Sequence, residues 1–326
     1  MKIIITGGGG FLGSQLATRL LQKGTLTGQS GEQEKIEQIC LIDKNFPVSN
    51  LDNRIKEISG DISDRDTIKF SIENSDSISF FHLASMVSGE CEDQYDDALR
   101  VNLDGGRNIF EIAREIKGRP RVVFASSIAS FGGDTIHNPV TDIAKQTPQT
   151  TYGMTKVICE LLINDHTRKG HFDGRSARLP TVIIRPGKPN AAASSWASGM
   201  FREPLNGEAC ELPVKRNQSH PMTGFKTVVD SFVALHEIVE DKLGNDRAYG
   251  LPALSVTPNL AEKTLKEISN DKKIKIGKIE DSFDPRIQSI VDNWPIAVDG
   301  SRATAIGLPH PPSLKLIIEQ YLEHFK

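Results

Sequence analysis

The sequence predicts an α/β fold in which a doubly wound parallel sheet is followed by a smaller C-terminal α+β region. The N-terminal half alternates short apolar runs with amphipathic segments, which is the pattern of repeated β–α units. Aromatic residues make up only 6% of the 326 residues, so the core depends on Ile, Leu and Val, as in a buried parallel sheet. Six prolines between positions 189 and 258 then divide the chain into short pieces, which indicates a less regular second region.

The elements follow one another along the chain. Sheet strands are predicted over residues 2–6, 39–42, 55–58, 79–83, 121–125 and 181–184. Helices are predicted over residues 11–23, 99–116 and 152–169, and in the second region over 198–204, 228–240, 259–270 and 314–324. Right-handed crossovers through the first three helices would wind the sheet on both faces. The polar segment 24–35 is expected to be an exposed extension without a function of its own.

Composition excludes several classes of function. The 39 basic and 42 acidic residues give a net charge of -3, so we expect no broad basic surface for nucleic acid. No apolar run approaches the ~20 residues that span a bilayer, and the apolar start of the chain is too short for a signal peptide. The four cysteines form no CxxC pair and lie near no histidine at metal-ligand spacing. We therefore expect a cytoplasmic protein with reduced thiols, no metal and no membrane partner.

A glycine-rich segment, TGGGGFLG at residues 6–13, directly follows the first strand and opens the first helix. Gly7 permits a tight turn, Gly10 lets a pyrophosphate approach the backbone, and Gly13 lets the helix pack closely on the strand. The helix N-terminus, with Phe11 and Leu12, offers free N–H groups and a partial positive charge to phosphates. These flanks favour a dinucleotide site over a simple turn. We therefore predict a dinucleotide-binding domain at 1–186 and a smaller substrate-binding region at 187–326, with some chain crossing back.

Three acidic or apolar residues after the next strands suit the rest of a dinucleotide. Asp43 ends the second strand, where a carboxylate accepts hydrogen bonds from both ribose hydroxyls and repels a 2′-phosphate. This favours NAD over NADP, although the neighbouring Lys44 weakens the preference. Asp61 and Ile62, after the third strand, offer an acceptor and an apolar face to adenine. Asp61 would serve almost equally well as the N-cap of the following helix.

A catalytic pair is predicted from the spacing of Tyr152 and Lys156, which lie at i and i+4 and so share one helix face. A phenol with a pKa near ~10 is a poor base, but a neighbouring ammonium and a positive nicotinamide favour the phenolate. Ser127, at the carboxyl end of the fifth strand, would hold the reacting oxygen while Tyr152 moves the proton. Ser126 is the competing candidate, and the register of the following Ser-x-x-x-Phe-Gly run favours Ser127.

Taken together, these segments resemble the extended short-chain dehydrogenase/reductase family, whose nucleotide domain has the Rossmann fold. The matching pieces are residues 6–13, Asp61-Ile62, 82–85, 101–105, Ser126-Ser127, Tyr152 with Lys156, and Arg185-Pro186-Gly187. The resemblance implies a Ser127-Tyr152-Lys156 triad in which Lys156 also holds the nicotinamide ribose. It further implies that Leu83 and Ala84 line the cofactor, that Asn102 lies near it, and that Pro186 borders the nicotinamide. It suggests a homodimer through the helices at 99–116 and 152–169. His82 is interpreted as a core histidine.

The substrate is less well determined, because the family contains epimerases, dehydratases and dehydrogenases. The 4,6-dehydratases carry an Asp-Glu pair after the triad hydroxyl, whereas this chain has Ile128 and Ala129, so that reaction is excluded. The segments 86–90, 179–195 and 198–207 resemble the D-erythronate dehydrogenase subgroup. That resemblance implies oxidation of the C2 hydroxyl of a four-carbon sugar acid by NAD, giving the 2-oxo acid.

A small carboxylate needs a cation or several N–H and O–H donors. The candidates for contacts to the substrate carboxylate and hydroxyls, besides Ser127 and Tyr152, are Ser88, Asn190, Ser194, Ser195 and Arg202. Arg202 would serve equally well as the partner of Glu203. Two other functions stay open: a nucleoside-diphosphate-sugar 4-epimerase, and a non-catalytic NAD-binding sensor. The intact Tyr152 and Lys156 argue against the sensor.

Overall fold

A computed structural model describes residues 1–47, 52–73, 75–134, 136–189 and 194–326. The strands, in chain order, are β1 (Lys2–Thr6), β2 (Thr25–Thr27), β3 (Gln33–Lys35), β4 (Gln38–Asp43), β5 (Ile55–Ser59), β6 (Ile78–His82), β7 (Arg121–Ser127), β8 (Asp173–Leu179), β9 (Thr181–Ile183), β10 (Cys210–Leu212), β11 (His220–Gly224), β12 (Ala248–Gly250), β13 (Leu254–Val256) and β14 (Ile279–Asp281). Seven of them form a parallel sheet in the order β12-β8-β7-β6-β1-β4-β5. The predicted doubly wound α/β fold is confirmed.

Helices cover both faces of this sheet. They are α1 (Phe11–Lys23), α2 (Arg65–Ile72), α3 (Ser88–Asp93), α4 (Tyr95–Ala98), α5 (Gly105–Glu115), α6 (Thr151–Arg168), α7 (Ser195–Leu205), α8 (Phe225–Glu237), α9 (Pro258–Lys272), α10 (Pro285–Asp292), α11 (Ser301–Ala305) and α12 (Leu314–Phe325). A π-helical segment, Leu99–Asp104, leads into α5, so the helix predicted over 99–116 has two parts. No helix within the described ranges is long and apolar enough to cross a membrane.

The central strand β1 shows why the sheet is covered on both faces. All five of its residues are buried, and alternate side chains point to opposite sides. Ile3 and Ile5 pack in the core with α1 and α8, whereas Ile4 packs in the core with α2, α5 and α6. Continuous apolar runs of this kind are typical of a parallel sheet buried between two helical layers.

The sixth strand is not where the sequence predicts it. The structure forms it from β8, whereas the predicted segment 181–184 contributes β9 to a separate three-stranded sheet with β11 and β13. Periodicity misses β8 because it contains Arg175 and Arg178, which look exposed in the sequence but are fully buried. Their charges are paired with Asp173 and with Glu160, respectively, which makes the burial tolerable.

Residues after position 187 contribute to both parts of the molecule. β12 is the seventh strand of the main sheet and α8 covers one of its faces. A second core is built around α7, α9 and α12 with the small sheet of β9, β11 and β13. The four helices predicted in this region are present with slightly different ends. The division of the chain at residue 186 itself stays a prediction.

The segment predicted as an exposed extension is a hairpin of β2 and β3. Leu26 is fully buried beside α8, and the N–H of Thr27 donates to Glu237 Oε1 at 2.9 Å. The prediction was therefore wrong for this part of the segment. The segment is polar apart from Leu26, and a single leucine is not enough to predict from the sequence that a segment is anchored in the core.

Candidate active site

A long groove runs across the carboxyl ends of β1, β4, β6 and β7, with a volume of about 810 Å³. The glycine-rich turn forms its floor. Gly7 has a φ of +73°, which favours glycine, and a Cβ added at Gly13 would lie 2.1 Å from the Gly7 carbonyl oxygen. Only glycine lets the first helix approach the strand this closely, so the cradle predicted from the sequence is present.

The N-terminus of α1 opens onto this groove. Its N-cap is Gly10, which has no side chain to cap the helix, and Phe11 and Leu12 line the groove beside it. The first N–H groups of a helix and its dipole attract phosphate oxygens. The groove therefore fits the pyrophosphate of a dinucleotide, and Gly7, Gly10 and Gly13, predicted to cradle it, line this part of the groove.

Asp43 and Asp61 lie farther along the same groove. Asp43 Oδ2 accepts the N–H of Gly9 at 3.0 Å, which fixes the carboxylate at the end of β4. Burial alone would raise the pKa of Asp61, but hydrogen bonds from Arg100, Ser63 and Lys44 hold it well below its usual range. Asp61 is thus a fixed negative charge, and Arg100 is a groove residue that the sequence did not single out.

The loop after β6 contributes Leu83 and Ala84 to the wall of the groove, and Ile62, after β5, lines the groove as well. Thr6 Oγ1 lies 2.6 Å from His82 Nδ1 and accepts the N–H of Ala84 at 3.3 Å, which ties the loop to β1. His82 is buried as predicted, and burial lowers its pKa to about 3, so the ring stays neutral.

Asn102 and Pro186 are not on the groove wall. Asn102 lies in the π-helical segment, where its Oδ1 accepts the N–H of Met86 at 2.7 Å and its Nδ2 donates to Cys91 Sγ at 3.3 Å. Its side chain is therefore used to hold the loop that lines the groove. The structure does not bring Pro186 to the groove either.

The predicted triad converges where the groove meets a second cavity. Thr150 caps α6 by accepting the N–H of Gly153, so Tyr152 and Lys156 lie one turn apart. Lys156 Nζ donates to the Ala125 carbonyl at 2.9 Å and lies 5.2 Å from the centre of the Tyr152 ring. The Ser127 side chain lies on the same cavity wall as Tyr152 and acts to lower the pKa of its phenol.

The geometry also separates the two candidate serines. Ser126 is buried and donates its hydroxyl hydrogen to Glu160 Oε1. Ser127 lines the cavity beside Tyr152. Ser126 belongs to a buried network in which Arg178 Nη2 donates to Glu160 Oε2 at 2.9 Å, and this network fastens α6 to the sheet. Ser127 is therefore the serine that can meet a substrate.

Burial dominates the ionisation of the pair. It raises the pKa of Tyr152 to about 12, although the hydrogen bond from Ser127 acts in the opposite direction. It also lowers the pKa of Lys156 to about 8. The protein groups alone therefore do not produce the phenolate that the sequence analysis expects from Lys156. When bound, NAD supplies a hydride acceptor and a positive charge at this point.

The second cavity has a volume of about 280 Å³ and lies beside Tyr152 and Ser127. Of the predicted substrate contacts, the structure brings Ser88, Ser194 and Ser195 to its wall. Asn190 lies outside the described residues. Several other residues on this wall had no predicted role in substrate binding: Thr181, Val182, Arg185, His220 and Trp294. Of these residues, only Arg185 stood in a motif that the sequence singled out, Arg185-Pro186-Gly187.

Arg202 is not on the cavity wall, which corrects the prediction of a direct substrate contact. Helix α7 turns its side chain into the second core, where it is 2% exposed. Its guanidinium donates to Glu203 and, at 3.2 Å, to the Arg185 carbonyl. Arg202 therefore positions the segment that carries Arg185.

Arg185 is a half-buried cation on the cavity wall. Its guanidinium donates to the Lys188 carbonyl at 2.5 Å, and within the described ranges no carboxylate lies within 4.0 Å of it. The undescribed positions contain neither Asp nor Glu. Burial, and then the charge of Arg202, lower its pKa. A half-buried cation without an acidic partner attracts an anion.

Comparison with known proteins agrees with this geometry. Residues 3–246 match the NAD dependent epimerase/dehydratase family. A D-erythronate dehydrogenase from Cupriavidus necator is 40% identical over 99% of this chain and 98% of its own length, and one from Haemophilus influenzae is 37% identical over 99% of both. A structure named as a nucleoside-diphosphate-sugar epimerase from Agrobacterium tumefaciens is 34% identical, with a TM-score of 0.88 over 100% of this chain and 94% of that one. The chain belongs to the NAD dependent epimerase/dehydratase family.

Proposed function

We propose that this protein is an NAD-dependent dehydrogenase that oxidises the C2 hydroxyl of D-erythronate, a four-carbon sugar acid, to the 2-oxo acid. Two relatives that match nearly the whole chain are D-erythronate dehydrogenases. The observation in this molecule that carries the proposal is Arg185, a cation without an acidic partner among the described residues, on the wall of a small cavity next to Tyr152.

A sugar acid matches this cavity in charge. Its carboxylate would pair with the Arg185 guanidinium, which donates hydrogen bonds in a fork suited to carboxylates. The hydroxyls would meet the polar side chains on the same wall, Ser88, Ser194 and Ser195 among them. A substrate held by its carboxylate at one end presents the adjacent C2 to the triad.

The cavity also matches a sugar acid in size. Its volume of about 280 Å³ is slightly below the range for sites of drug-sized ligands, roughly 300–1,000 Å³. A four-carbon acid fits such a space. A nucleoside-diphosphate sugar, several times larger, would need an additional open channel.

The residues support a simple division of work. Tyr152 takes the proton of the C2 hydroxyl, while Ser127 holds the same oxygen through a hydrogen bond. Lys156, anchored on the Ala125 carbonyl, keeps a positive charge beneath the Tyr152 ring and lies on the groove wall, where it can hold the nicotinamide ribose. Arg185 keeps the substrate from rotating by holding its carboxylate.

A 4-epimerase is the second candidate, because the Agrobacterium tumefaciens structure is named as a nucleoside-diphosphate-sugar epimerase. The two functions differ in one measurable property. A dehydrogenase releases NADH, whereas an epimerase returns the hydride to its substrate and produces no net NADH.

The experiment is a measurement of NADH formation by the purified protein with NAD and, in turn, D-erythronate, L-threonate, D-threonate and UDP-galactose. We expect net NADH with D-erythronate and the highest kcat/KM for it. Conversion of UDP-galactose without NADH would support the epimerase instead. Binding of NAD without turnover of any substrate would support the non-catalytic sensor. Oxidation of a threonate in preference to D-erythronate would correct the stereochemistry.

We also propose that the protein is a cytoplasmic homodimer. All four cysteines are buried free thiols, which are typical of a reducing compartment. Leu161 on α6 is 59% exposed and Tyr95 on α4 is 53% exposed, so this side of the molecule has apolar surface for a second copy. Sedimentation equilibrium of the protein and of Leu161→Glu tests the proposal, because the charge should favour the monomer.

A further inference from the structure

His220 and Thr181 form an isolated polar pair beside the substrate cavity. His220 begins β11, is 1% exposed and lies against the rings of Trp196 and Trp294, at centroid distances of 5.7 and 5.5 Å. Its Nε2 lies 2.6 Å from Thr181 Oγ1. Its Nδ1 is buried and has no hydrogen-bond partner in the part of the chain that the structure describes.

These surroundings determine which ring nitrogen carries the hydrogen. Burial lowers the pKa of His220 to about 4, so the ring is neutral and has a single N–H. With the hydrogen on Nδ1, a buried donor would be left without an acceptor, which is rarer and more costly than an unused lone pair. The hydrogen therefore belongs on Nε2, which donates it to Thr181 Oγ1.

This arrangement fixes the role of the Thr181 hydroxyl. Because its oxygen accepts from His220, its own hydrogen is available to donate elsewhere. Thr181 is half-buried and lies on the cavity wall together with Ser127 and Tyr152. Among the described residues, the Thr181 hydroxyl has His220 Nε2 as its hydrogen-bond partner and donates to no other side chain or carbonyl. The side chain thus presents a directed donor to whatever fills the cavity.

We propose that the His220–Thr181 pair recognises an outer hydroxyl of the sugar acid, at C3 or C4, by a hydrogen bond that Thr181 donates and His220 directs. The inference rests on the proposed function, in which the C2 oxygen belongs to Ser127 and Tyr152 and the carboxylate to Arg185. Thr181 is then a specificity-determining residue and His220 a positioning residue. Together they make the enzyme prefer polyhydroxy acids over simple 2-hydroxy acids.

The test compares D-erythronate with 2,4-dihydroxybutanoate and 2,3-dihydroxybutanoate, which lack the C3 and the C4 hydroxyl, respectively. Thr181→Val removes the hydroxyl and keeps the shape. We expect it to lower kcat/KM for D-erythronate about tenfold, mainly through KM, and to leave kcat/KM unchanged for the analogue without the contacted hydroxyl. Thr181→Ser should restore most of the loss. Thr223→Val, the same change at a buried position on the neighbouring strand β11, is the matched control.

His220 is tested through its coupling to Thr181. His220→Leu should lower kcat/KM for D-erythronate several-fold, and the double variant with Thr181→Val should be no worse than Thr181→Val alone. His220→Gln, which keeps a donor near the Nε2 position, should recover part of the activity. Thermal melting and the KM for NAD of each variant show whether the fold and the groove are intact.

Three results would overturn the inference. Thr181→Val could lower kcat/KM equally for all three acids, it could have no effect on D-erythronate, or its effect could add fully to that of His220→Leu. Should His220→Leu not fold, the comparison of Thr181→Val with Thr181→Ser still decides. The proposed function fails separately, when the unmodified protein forms no NADH from any sugar acid.

Discussion

The dinucleotide groove and the substrate cavity meet at Tyr152, yet they are built in different ways. The groove is lined mostly by residues at successive strand ends in the N-terminal part of the chain. The cavity is lined by residues from segments as far apart as Leu12 and Trp294. The groove therefore depends on local turn geometry, and the cavity depends on how the second region folds back over the sheet.

Charge is handled differently in the two regions as well. In the groove, Asp61 has Arg100 and Lys44 as partners at 2.8 and 3.0 Å. In the cavity, Arg185 has no carboxylate partner within the described ranges. A satisfied charge helps to hold the groove in shape, whereas an unsatisfied one is available to a ligand. The groove, with its charges paired, is therefore suited to hold a cofactor in a fixed place, and the cavity, with one cation left without an acidic partner, is suited to attract an anionic ligand.

The largest expected effect is at Tyr152, which lines both the groove and the cavity. Tyr152→Phe should lower kcat for D-erythronate at least ~10³-fold, because it removes the general base. The KM and Kd for NAD should change little, since the glycine turn and Asp43 lie elsewhere in the groove. Stopped-flow NADH formation and calorimetric NAD binding check this. Loss of NAD binding would show that the groove depends on Tyr152 as well.

A change confined to the cavity should have the next largest effect. Arg185→Met removes a hydrogen bond to a charged group, worth about 1.5–3 kcal/mol, so KM for D-erythronate should rise roughly 10- to 150-fold. The KM for NAD should stay the same. Arg286→Met, at an arginine that is 89% exposed, is the control. An unchanged KM for D-erythronate would remove the basis for assigning the carboxylate to Arg185.

A change confined to the groove should affect NAD binding and leave substrate binding unchanged. Gly13→Ala places a Cβ 2.1 Å from the Gly7 carbonyl oxygen, an overpacking that costs about 1–3 kcal/mol. We expect a KM for NAD about tenfold higher and a lower melting temperature, with KM for D-erythronate little changed. In Gly199→Ala the new Cβ meets nothing nearer than 3.4 Å, so this variant should retain its NAD affinity. Equal losses in both variants would contradict the close-packing explanation.

The smallest expected effect is a dependence of kcat/KM on pH, which arises from the ionisation of Tyr152. Tyr152 has a pKa raised to about 12, so the fraction of phenolate, and kcat/KM for oxidation, should increase by up to about tenfold per pH unit above neutrality. The increase should flatten above the pKa of Lys156, about 8, because the neighbouring positive charge is then lost. Initial rates in buffers of constant ionic strength measure the profile. A rate independent of pH would exclude Tyr152 as the proton acceptor in the rate-limiting step.

Much of the fold was predictable because local signals agree with it. β1, α1 and the turn between them follow directly from an apolar run, a glycine cluster and an amphipathic segment. β8 was not predictable, because the burial of Arg175 and Arg178 depends on ion pairs with Asp173, in the same strand, and with Glu160, on α6, and only the folded structure shows these pairs. From the sequence alone, a charged residue is predicted to lie on the surface, because its buried partner is not known.

For the site, the sequence by itself determined the cofactor turn, the acidic end of β4 and the spacing of Tyr152 and Lys156, since each depends on neighbours within a few residues. The tertiary structure alone decided that Arg185 reaches the cavity, that Arg202 supports it from the core, and that His220 meets Thr181. One contact joins α7 to the segment after β9, and another joins β9 to β11. Long-range packing sets such distances, and no local pattern along the chain encodes them.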